Sequence, residues 1–410
     1  MKYVIIGNSA AAVGCVEGIR QADRAGSITI ISAEPHHTYS RPLISYLLCG
    51  KTDEARMRYR GPDFYESNGV TAMLGVTVRS IDPPGKQVLL GDGGAVPYDK
   101  LLVSAGSSPF VPPIAGLDTV PHRYTFMTLD DARALDDAVT ADTRVLILGA
   151  GLIGLKCAEG LRKKTGRITV VDLADRILPS ILDAEAAGMV AAHITAQGVT
   201  LRLSDSVERF EQNRATLKSG GVLEFDLLVV AVGVRPNTAL VREAGGAADR
   251  GVVTDRLCRT SLPDVYAAGD CAKSHDITTG EDRVLALLPN AYAQGECAGL
   301  HMAGVEKPWD KAIPMNAIGF FGLHIITAGS YDGQSYTVAG EGSYKRLVYK
   351  DNLLKGYILV GEILRAGIYT ALIRERTPLD TVDFSLIKEK PGLMAFTRKE
   401  RAKKLGGATV

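Results

Sequence analysis

The sequence predicts an α/β fold in which a three-layer unit occurs twice and a C-terminal α+β domain follows. A strand, a glycine turn, a helix and a second strand follow one another at the start of the chain, and the same order returns after residue 143. Apolar and polar residues alternate over residues 344–360, which is typical of an antiparallel sheet with one covered face. A chain of 410 residues is long enough for two or three domains.

Each repeated unit has its own strands and helix. In the first, strands at residues 2–6 and 27–32 enclose an alanine-rich helix that we expect to reach about Gln21. In the second, strands at residues 144–148 and 168–171 enclose a helix that we expect to reach about Lys164. This order is that of a Rossmann-like dinucleotide-binding domain, in which the helix N-terminus points at a pyrophosphate. The sequence therefore predicts two Rossmann-like domains.

The second unit carries a complete glycine motif. Gly149 permits a tight turn, Gly151 lets the backbone approach a pyrophosphate, and Gly154 allows close packing of helix on strand. Asp172 closes the next strand, where a carboxylate binds a ribose 2′-OH and repels a 2′-phosphate. NAD(H) is therefore favoured over NADP(H), although Arg176 leaves NADP(H) open. The residues predicted to bind NAD(H) are Gly149, Gly151, Leu152, Ile153, Gly154, Asp172 and Gly233.

The first unit departs from the complete motif. Its three positions are Gly7, Ser9 and Ala12, so a serine replaces the middle glycine. Serine adds only a small side chain, and phosphate can still approach the turn. Glu34 lies close to the position of a ribose-binding carboxylate. We therefore expect this unit to bind a second dinucleotide.

Composition excludes several classes of function. The chain has 47 basic and 46 acidic residues and a net charge of +1, which argues against a nucleic-acid partner. Six cysteines include no C-x-x-C pair, so we expect no metal site. The start of the chain leads straight into a strand without a signal peptide. The longest uncharged stretch, residues 312–331, contains Pro314, Asn316 and His324, and we interpret it as buried strands. These features predict a cytoplasmic protein without membrane insertion.

Three further segments carry a family resemblance. Leu102–Gly106 and Val230–Gly233 end buried strands at an alanine–glycine motif, and residues 260–270 read TSLPDVYAAGD. With these segments, the chain resembles the FAD/NAD(P) oxidoreductases with two dinucleotide folds, the pyridine nucleotide-disulfide oxidoreductase-fold family. The resemblance implies FAD and NAD(H) as cofactors, with Asp270 holding the flavin ribitol. The residues that it implies for FAD are Gly7, Ser9, Ala10, Ala11, Ala12, Glu34, Arg41, Pro42, Val78, Ala105, Gly106, Asp270, Leu288 and Ala291.

The resemblance also implies a domain division. Residues 1–112 and 246–306 would form a discontinuous FAD-binding domain, and residues 113–245 an inserted NAD-binding domain. Residues 307–377 would form a C-terminal interface domain. The tail at residues 378–410 contains the basic residues Arg398, Lys399, Arg401, Lys403 and Lys404. We interpret this basic run as a solvated helix face, and the alternative is a docking segment.

The segment at residues 39–45 bears on the electron acceptor. It reads YSRPLIS and resembles rubredoxin reductases, oxygenase-coupled ferredoxin reductases and the flavin domain of assimilatory nitrite reductases. These proteins pass electrons to iron or iron–sulfur centres, and this chain has no cluster ligands of its own. We therefore expect an iron–sulfur or rubredoxin-like partner protein or subunit. The alternatives are a free-standing rubredoxin or ferredoxin reductase, and an NADH oxidase or peroxidase that uses Cys49 as its thiol.

Two positions separate this chain from the oxygenase-coupled members. Where those proteins usually have a lysine and a glutamate near the flavin ring, this chain has Tyr46 and Lys156. We place Lys156 in the first turn of its helix, where the helix dipole disfavours a cation. It is thus the candidate for tuning the flavin, and the alternative is a lysine whose stem lies along the surface. With these two departures, the chain more closely resembles the flavin subunits of aldehyde or phenylglyoxylate-type 2-oxoacid dehydrogenases. This resemblance implies a hetero-oligomeric complex, and a homodimer is the alternative.

Overall fold

The computed structural model describes residues 1–398, 400 and 401. Its strands in chain order are β1 Lys2–Ile6, β2 Ser27–Ser32, β3 Val70–Leu74, β4 Val78–Asp82, β5 Gln87–Leu90, β6 Ala95–Pro97, β7 Lys100–Val103, β8 Ser107–Pro109, β9 Arg123–Tyr124, β10 Val145–Leu148, β11 Ile168–Val171, β12 Val199–Arg202, β13 Val207–Glu211, β14 Arg214–Leu217, β15 Val222–Glu224, β16 Leu227–Val230, β17 Val234–Pro236, β18 Val265–Ala267, β19 Lys273–Asp276, β20 Glu281–Val284, β21 Met315–Phe320, β22 Leu323–Gly329, β23 Gln334–Gly340, β24 Ser343–Lys350 and β25 Leu353–Val360.

The helices in chain order are α1 Ala10–Ala22, α2 Ile44–Leu48, α3 Phe64–Ser67, α4 Leu129–Ala138, α5 Leu152–Leu161, α6 Ala184–Ala196, α7 Ala239–Glu243, α8 Leu288–Met302, α9 Ala366–Arg374 and α10 Phe384–Glu389. Short 3₁₀ turns lie at Arg41–Leu43, Leu117–Thr119, Leu379–Thr381 and Leu393–Ala395. The helix predicted to reach Lys164 ends at Leu161.

The first sheet is parallel and has the order β18-β7-β1-β2-β3. Both of its faces are covered, which explains the continuous apolar run of β1. Tyr3 and Ile5 face a core shared with α1 and α8, and Val4 and Ile6 face a core formed with the sheet β4-β5-β6. Strand β18 comes from a distant part of the chain and completes this sheet beside β7.

The second sheet repeats the same plan with the order β12-β11-β10-β16-β9. Val145 and Ile147 of β10 pack into the core that contains residues of α4, α5 and α6. Leu146 and Leu148 face the core built with the antiparallel sheet β13-β14-β15. The two predicted three-layer units are therefore confirmed.

The C-terminal part is an antiparallel sheet of order β21-β22-β25-β24-β23, with α9 packed on it. The alternation predicted over residues 344–360 belongs to the hairpin of β24 and β25. The uncharged stretch at residues 312–331 forms the hairpin of β21 and β22. Within the described part of the chain, no helix has the length and apolar character needed to cross a membrane. In the basic tail, Arg398 is exposed, while Lys399, Lys403 and Lys404 lie outside the described residues.

Candidate functional site: two nucleotide-binding turns

The turn between β1 and α1 requires glycine at its first position. Gly7 has a φ of +107°, and a Cβ atom there would lie 2.2 Å from the carbonyl oxygen of Ser104. Its backbone N–H donates to the carbonyl of Ile31 at the end of β2. The turn is thus held against both neighbouring strands, and α1 starts directly above the end of the sheet.

The N-terminus of α1 has the chemistry of a phosphate site. Ser9 is the N-cap, and its hydroxyl makes no capping hydrogen bond. Ala10, Ala11 and Ala12 follow and are buried. The first N–H groups of a helix have no acceptor within it, and here no large side chain would keep an anion away from them. These residues therefore fit the pyrophosphate of a dinucleotide.

Helix α8 packs on α1 at unusually close range, which the sequence analysis missed. Cβ atoms added at Gly14 and Gly18 of α1 would lie 2.2 and 2.5 Å from carbonyl oxygens of α8. Conversely, Cβ atoms at Gly295 and Gly299 of α8 would lie 2.0 and 2.2 Å from carbonyl oxygens of α1. The sequence signal for this close packing is the spacing of four residues between the two glycines in each helix. This contact places the start of α8, with Leu288 and Ala291, beside the first turn.

Gly269 and Asp270 lie beside the first turn as well. Gly269 has a φ of +79°, and a Cβ atom there would lie 3.2 Å from the Cβ of Ala11 and 3.6 Å from that of Ala291. The structure thus brings together three segments that the sequence analysis predicted separately. Burial raises the pKa of Asp270 above its usual range, and the charge of Arg41 opposes that shift.

The carboxylate of Glu34 is hydrogen-bonded to two neighbouring side chains. It accepts hydrogen bonds from the Tyr39 hydroxyl at 2.7 Å and from the Arg41 guanidinium. Arg41 also donates to the carbonyl of Met127. The predicted ribose carboxylate therefore holds Arg41 in place, and Arg41 carries its charge toward Asp270. Pro42 follows in the 3₁₀ turn Arg41–Leu43.

The strand-end glycines lie where the two units join. Gly106 has a φ of +64°, and Gly233 has a φ of +125°. The Asn237 side chain donates to the carbonyl of Ala105, while its backbone N–H donates to that of Gly106. Strands β8 and β17 pair with each other directly after these loops. Val78, also predicted for FAD, is the first residue of β4 and packs against the core below the first sheet.

The turn between β10 and α5 has the same geometry as the first. Gly149 has a φ of +108°, and a Cβ atom there would lie 2.3 Å from the carbonyl oxygen of Ala231. A Cβ atom at Gly154 would lie 2.0 Å from the carbonyl oxygen of Gly149. A Cβ atom at Gly151 would have no atom within 4 Å, so this position faces open space. Leu152 and Ile153, both half-buried, begin α5. The open middle position fits an approaching pyrophosphate.

Asp172 lies at the end of β11, beside this turn. Its carboxylate accepts hydrogen bonds from the backbone N–H groups of Ala150 at 2.6 Å and Ala174 at 2.7 Å. Each oxygen keeps a further lone pair for a ribose hydroxyl. The next side chain, Leu173, is 71% exposed. Arg176, the alternative candidate for a 2′-phosphate, pairs with the neighbouring Asp175.

Lys156 is neither in the first turn nor on the surface. Because α5 begins at Leu152, this residue lies in the second turn, so the prediction of a first-turn cation was wrong. Its ammonium pairs with the buried carboxylate of Glu159 and donates to the carbonyl of Gly319 at 3.1 Å. It also lies 4.7 Å from the centre of the Tyr46 ring. Tyr46 and Lys156 therefore face each other, as the family comparison implied.

The surroundings of Glu159 extend this network into the C-terminal domain. The second oxygen of Glu159 accepts a hydrogen bond from the backbone N–H of Phe321, and Lys51 approaches within 3.8 Å. Cys49 is buried nearby, and its thiol contacts the carbonyl of Tyr46. All six cysteines lie in the described part of the chain, and all are free and buried.

Two glycine turns, each leading into a helix N-terminus, have the geometry that fits two dinucleotides. Residues 1–295 match the family model described as pyridine nucleotide-disulphide oxidoreductase. The chain belongs to this family, and FAD and NAD(H) are its cofactors.

Known proteins resemble the chain over most of its length. It is 34% identical to the NADH-dependent phenylglyoxylate dehydrogenase subunit epsilon of Aromatoleum evansii, covering 92% of each chain. It is 30% identical to the nitrite reductase [NAD(P)H] of Bacillus subtilis, covering 94% of this chain but only 49% of that one.

Two solved structures share the fold. Putidaredoxin reductase in its covalent complex with putidaredoxin superposes with a TM-score of 0.88 at 24% identity, covering 99% of both chains. The ferredoxin reductase for the CYP199A2 system of Rhodopseudomonas palustris gives a TM-score of 0.86 at 26% identity, covering 95% of this chain and 99% of that chain.

Proposed function

We propose that this chain passes electrons between NAD(H) and an iron–sulfur or rubredoxin-like partner, as the flavin subunit of a 2-oxoacid or aldehyde dehydrogenase complex. One observation carries the proposal: the similarity to the phenylglyoxylate dehydrogenase subunit runs through 92% of both chains, including the C-terminal domain. The nitrite reductase, in contrast, is matched over about half of its length.

We assign FAD to the first turn and NAD(H) to the second. The first assignment is supported by the closed groove of α1 and α8, in which Ala11, Gly269 and Ala291 meet. The strand β18, which joins the first sheet from a distant part of the chain, supports a discontinuous FAD domain at residues 1–112 and 246–306. Residues 113–245 would be the NAD domain and residues 307–377 the interface domain.

FAD, when bound, supplies the chemistry that accepts two electrons as one hydride and releases them one at a time. The chain's own residues bind and orient the two nucleotides. The N-termini of α1 and α5 would hold the two pyrophosphates through their free N–H groups and positive dipole ends. Asp270 would accept a hydrogen bond from the ribitol chain, and Asp172 would accept from the ribose diol of NAD(H). Arg41 would sit beside FAD as a fixed cation.

Lys156 would act as a positioning residue. Its ammonium ties α5 to Tyr46, which follows the predicted FAD segment, and to Gly319 near the end of strand β21. Because Glu159 balances its charge, the lysine influences the flavin environment mainly as half of an ion pair. The pair therefore couples the NAD domain to the C-terminal domain.

A free-standing reductase is the second candidate. The match to a ferredoxin reductase over 99% of that chain supports it. We also propose a cytoplasmic location, since NAD(H) is used there and six unpaired cysteines suit a reducing compartment.

The proposal is tested by an anaerobic pull-down of the tagged chain from its native source. We expect one FAD in the chain, iron in the copurifying subunits and reduction of NAD⁺ that depends on an added 2-oxoacid or aldehyde. A chain that comes alone and reduces added ferredoxin or rubredoxin would favour the second candidate. An isolated chain that turns over oxygen rapidly, and loses this activity on Cys49→Ser, would contradict both.

A further inference from the structure

We propose that a cavity of about 550 Å³, remote from both nucleotide turns, binds a small molecule that carries two or more phosphate groups. The cavity lies between the β19–β20 hairpin and the C-terminal domain. Its walls include the hairpin turn, the segment that leads into β21, the strand β25 and the end of α9. None of the residues predicted for FAD or NAD(H) lines it.

The lining is strongly cationic. Five basic side chains come from four separate parts of the chain: Arg256, Lys311, Lys355, Arg374 and Arg376. Two acidic residues, Asp310 and Glu375, also line the cavity. Lys355 and Arg374 are half-buried, whereas Arg256, Lys311 and Arg376 are exposed.

Arg374 gives a second indication of a ligand. It is the last residue of α9, and its Nε atom is buried without a hydrogen-bond partner in the described structure. A buried guanidinium nitrogen without an acceptor is unfavourable, typically by about 1–3 kcal/mol. An anion in the cavity would supply the missing acceptor, and guanidinium groups match phosphate oxygens in geometry.

The hairpin wall is rigid and contributes no competing charge. Asp276 is fully buried and accepts hydrogen bonds from the backbone and side chain of Thr278. It also pairs with Arg283, which neutralises this carboxylate. The turn is therefore fixed before any ligand binds, and little ordering of the loop opposes binding.

The size and shape favour a small molecule over a protein. A cavity of this volume is typical of sites for ligands of nucleotide size. Its cations come from four separate parts of the chain and converge on one concave space, which suits a compact anion. Five cations against two acids are more than one phosphate requires, so we infer a ligand with at least two.

Isothermal titration calorimetry with inorganic pyrophosphate tests the site. The full-length, FAD-loaded protein is kept saturated with NAD⁺, so that the second nucleotide turn is occupied. One variant carries Arg374→Gln and Arg376→Gln, and another carries Lys311→Gln and Lys355→Gln from other walls. A matched control carries Arg24→Gln and Lys218→Gln, two exposed cations outside the cavity. FAD content and thermal unfolding show that each variant is folded.

We expect one pyrophosphate per chain, with affinity at least tenfold weaker in both cavity variants and unchanged in the control. Equal affinity in all four proteins would place the anion elsewhere and overturn the proposal. Absence of binding at millimolar pyrophosphate would also overturn it. If no pyrophosphate binds and the cavity variants instead lose affinity for the iron–sulfur partner, the cavity is part of the interface with that partner.

Discussion

The two nucleotide-binding units share their turn and differ in what covers it. Gly7 and Gly149 have φ values of +107° and +108°, and each abuts a carbonyl oxygen just beyond a neighbouring strand. In the first unit, α8 locks onto α1, with a Cβ at Gly295 lying 2.0 Å from the carbonyl oxygen of Ala11. In the second unit, Gly151 faces open space and Leu173 is 71% exposed.

With different surroundings, the same turn suits two kinds of ligand. A turn that is bordered by a second helix and by Asp270 offers contacts from three segments of the chain, so we expect it to retain its nucleotide. A turn that faces solvent exchanges its nucleotide with little rearrangement. The first unit is thus suited to a resident cofactor, and the second to a substrate that leaves in each cycle.

The largest expected effect comes from the paired substitutions Gly7→Ala and Gly149→Ala. Each adds a Cβ that clashes with a backbone carbonyl at a φ that disfavours alanine. We expect Gly7→Ala to lose FAD. Gly149→Ala should keep FAD but fail to be reduced by NADH, as flavin absorbance per chain and anaerobic bleaching would show. Loss of FAD from Gly149→Ala alone would reverse the assignment of the units.

A smaller loss, in stability and flavin potential, is expected from breaking the contact between the second unit and the C-terminal domain. Lys156→Met removes the nearest cation from a carboxylate whose side chain is 9% exposed. We expect about 3 kcal/mol lower free energy of unfolding, the low end for breaking a buried pair. The flavin potential should fall by about 10–30 mV, where 30 mV corresponds to 1.4 kcal/mol. Denaturant unfolding and anaerobic redox titration measure the two changes.

The double variant Lys156→Met with Glu159→Gln is the control, because it removes both charges together. Most of the lost stability should return. If the single variant unfolds like the wild type and has the same potential, the pair has no role in joining the domains.

We expect the Asp270 carboxylate to lower the stability of the apoprotein while it strengthens FAD binding. Burial raises its pKa in the folded state, so the unfolded chain releases this proton first as the pH rises from below 4. The apoprotein therefore loses stability as the pH rises through the raised pKa. Asp270→Asn should make the apoprotein more stable than the wild type at pH 7, with little difference at pH 4.

The same Asp270→Asn substitution should weaken FAD binding by about 2 kcal/mol, since a hydrogen bond to a charged group is lost. Denaturant unfolding at the two pH values and fluorescence titration with FAD check both parts. Unchanged FAD affinity would remove Asp270 from the first unit's site.

The smallest effect concerns the open unit. If Asp172 binds the ribose diol, NADH should exceed NADPH in kcat/KM by at least about tenfold, or ~1.4 kcal/mol. Asp172→Ala should narrow this ratio, mainly by weakening NADH. Steady-state kinetics with both nucleotides provide the measurement, and a wild-type preference for NADPH would shift attention to Arg176.

The fold was largely predictable because glycine and periodicity are local signals. The turns at Gly7 and Gly149 follow from strand, glycine and helix in succession, and the structure confirms both units. The pairing of Glu34 with Arg41 was not predictable, since it depends on how a loop folds back onto β2. Lys156 was misplaced because the helix begins one turn earlier than the motif suggested. The cationic cavity joins four distant parts of the chain, which no single motif records.

The contrast between the two units can be measured on the purified chain alone. The purified chain is mixed with FAD and excess NAD⁺, passed through a desalting column, and assayed for both nucleotides before anaerobic addition of one equivalent of NADH. After desalting, we expect about one FAD and no NAD⁺ per chain. The added NADH should then bleach the flavin completely. A chain that retains NAD⁺ as firmly as FAD, or whose flavin is not bleached by NADH, would contradict this contrast.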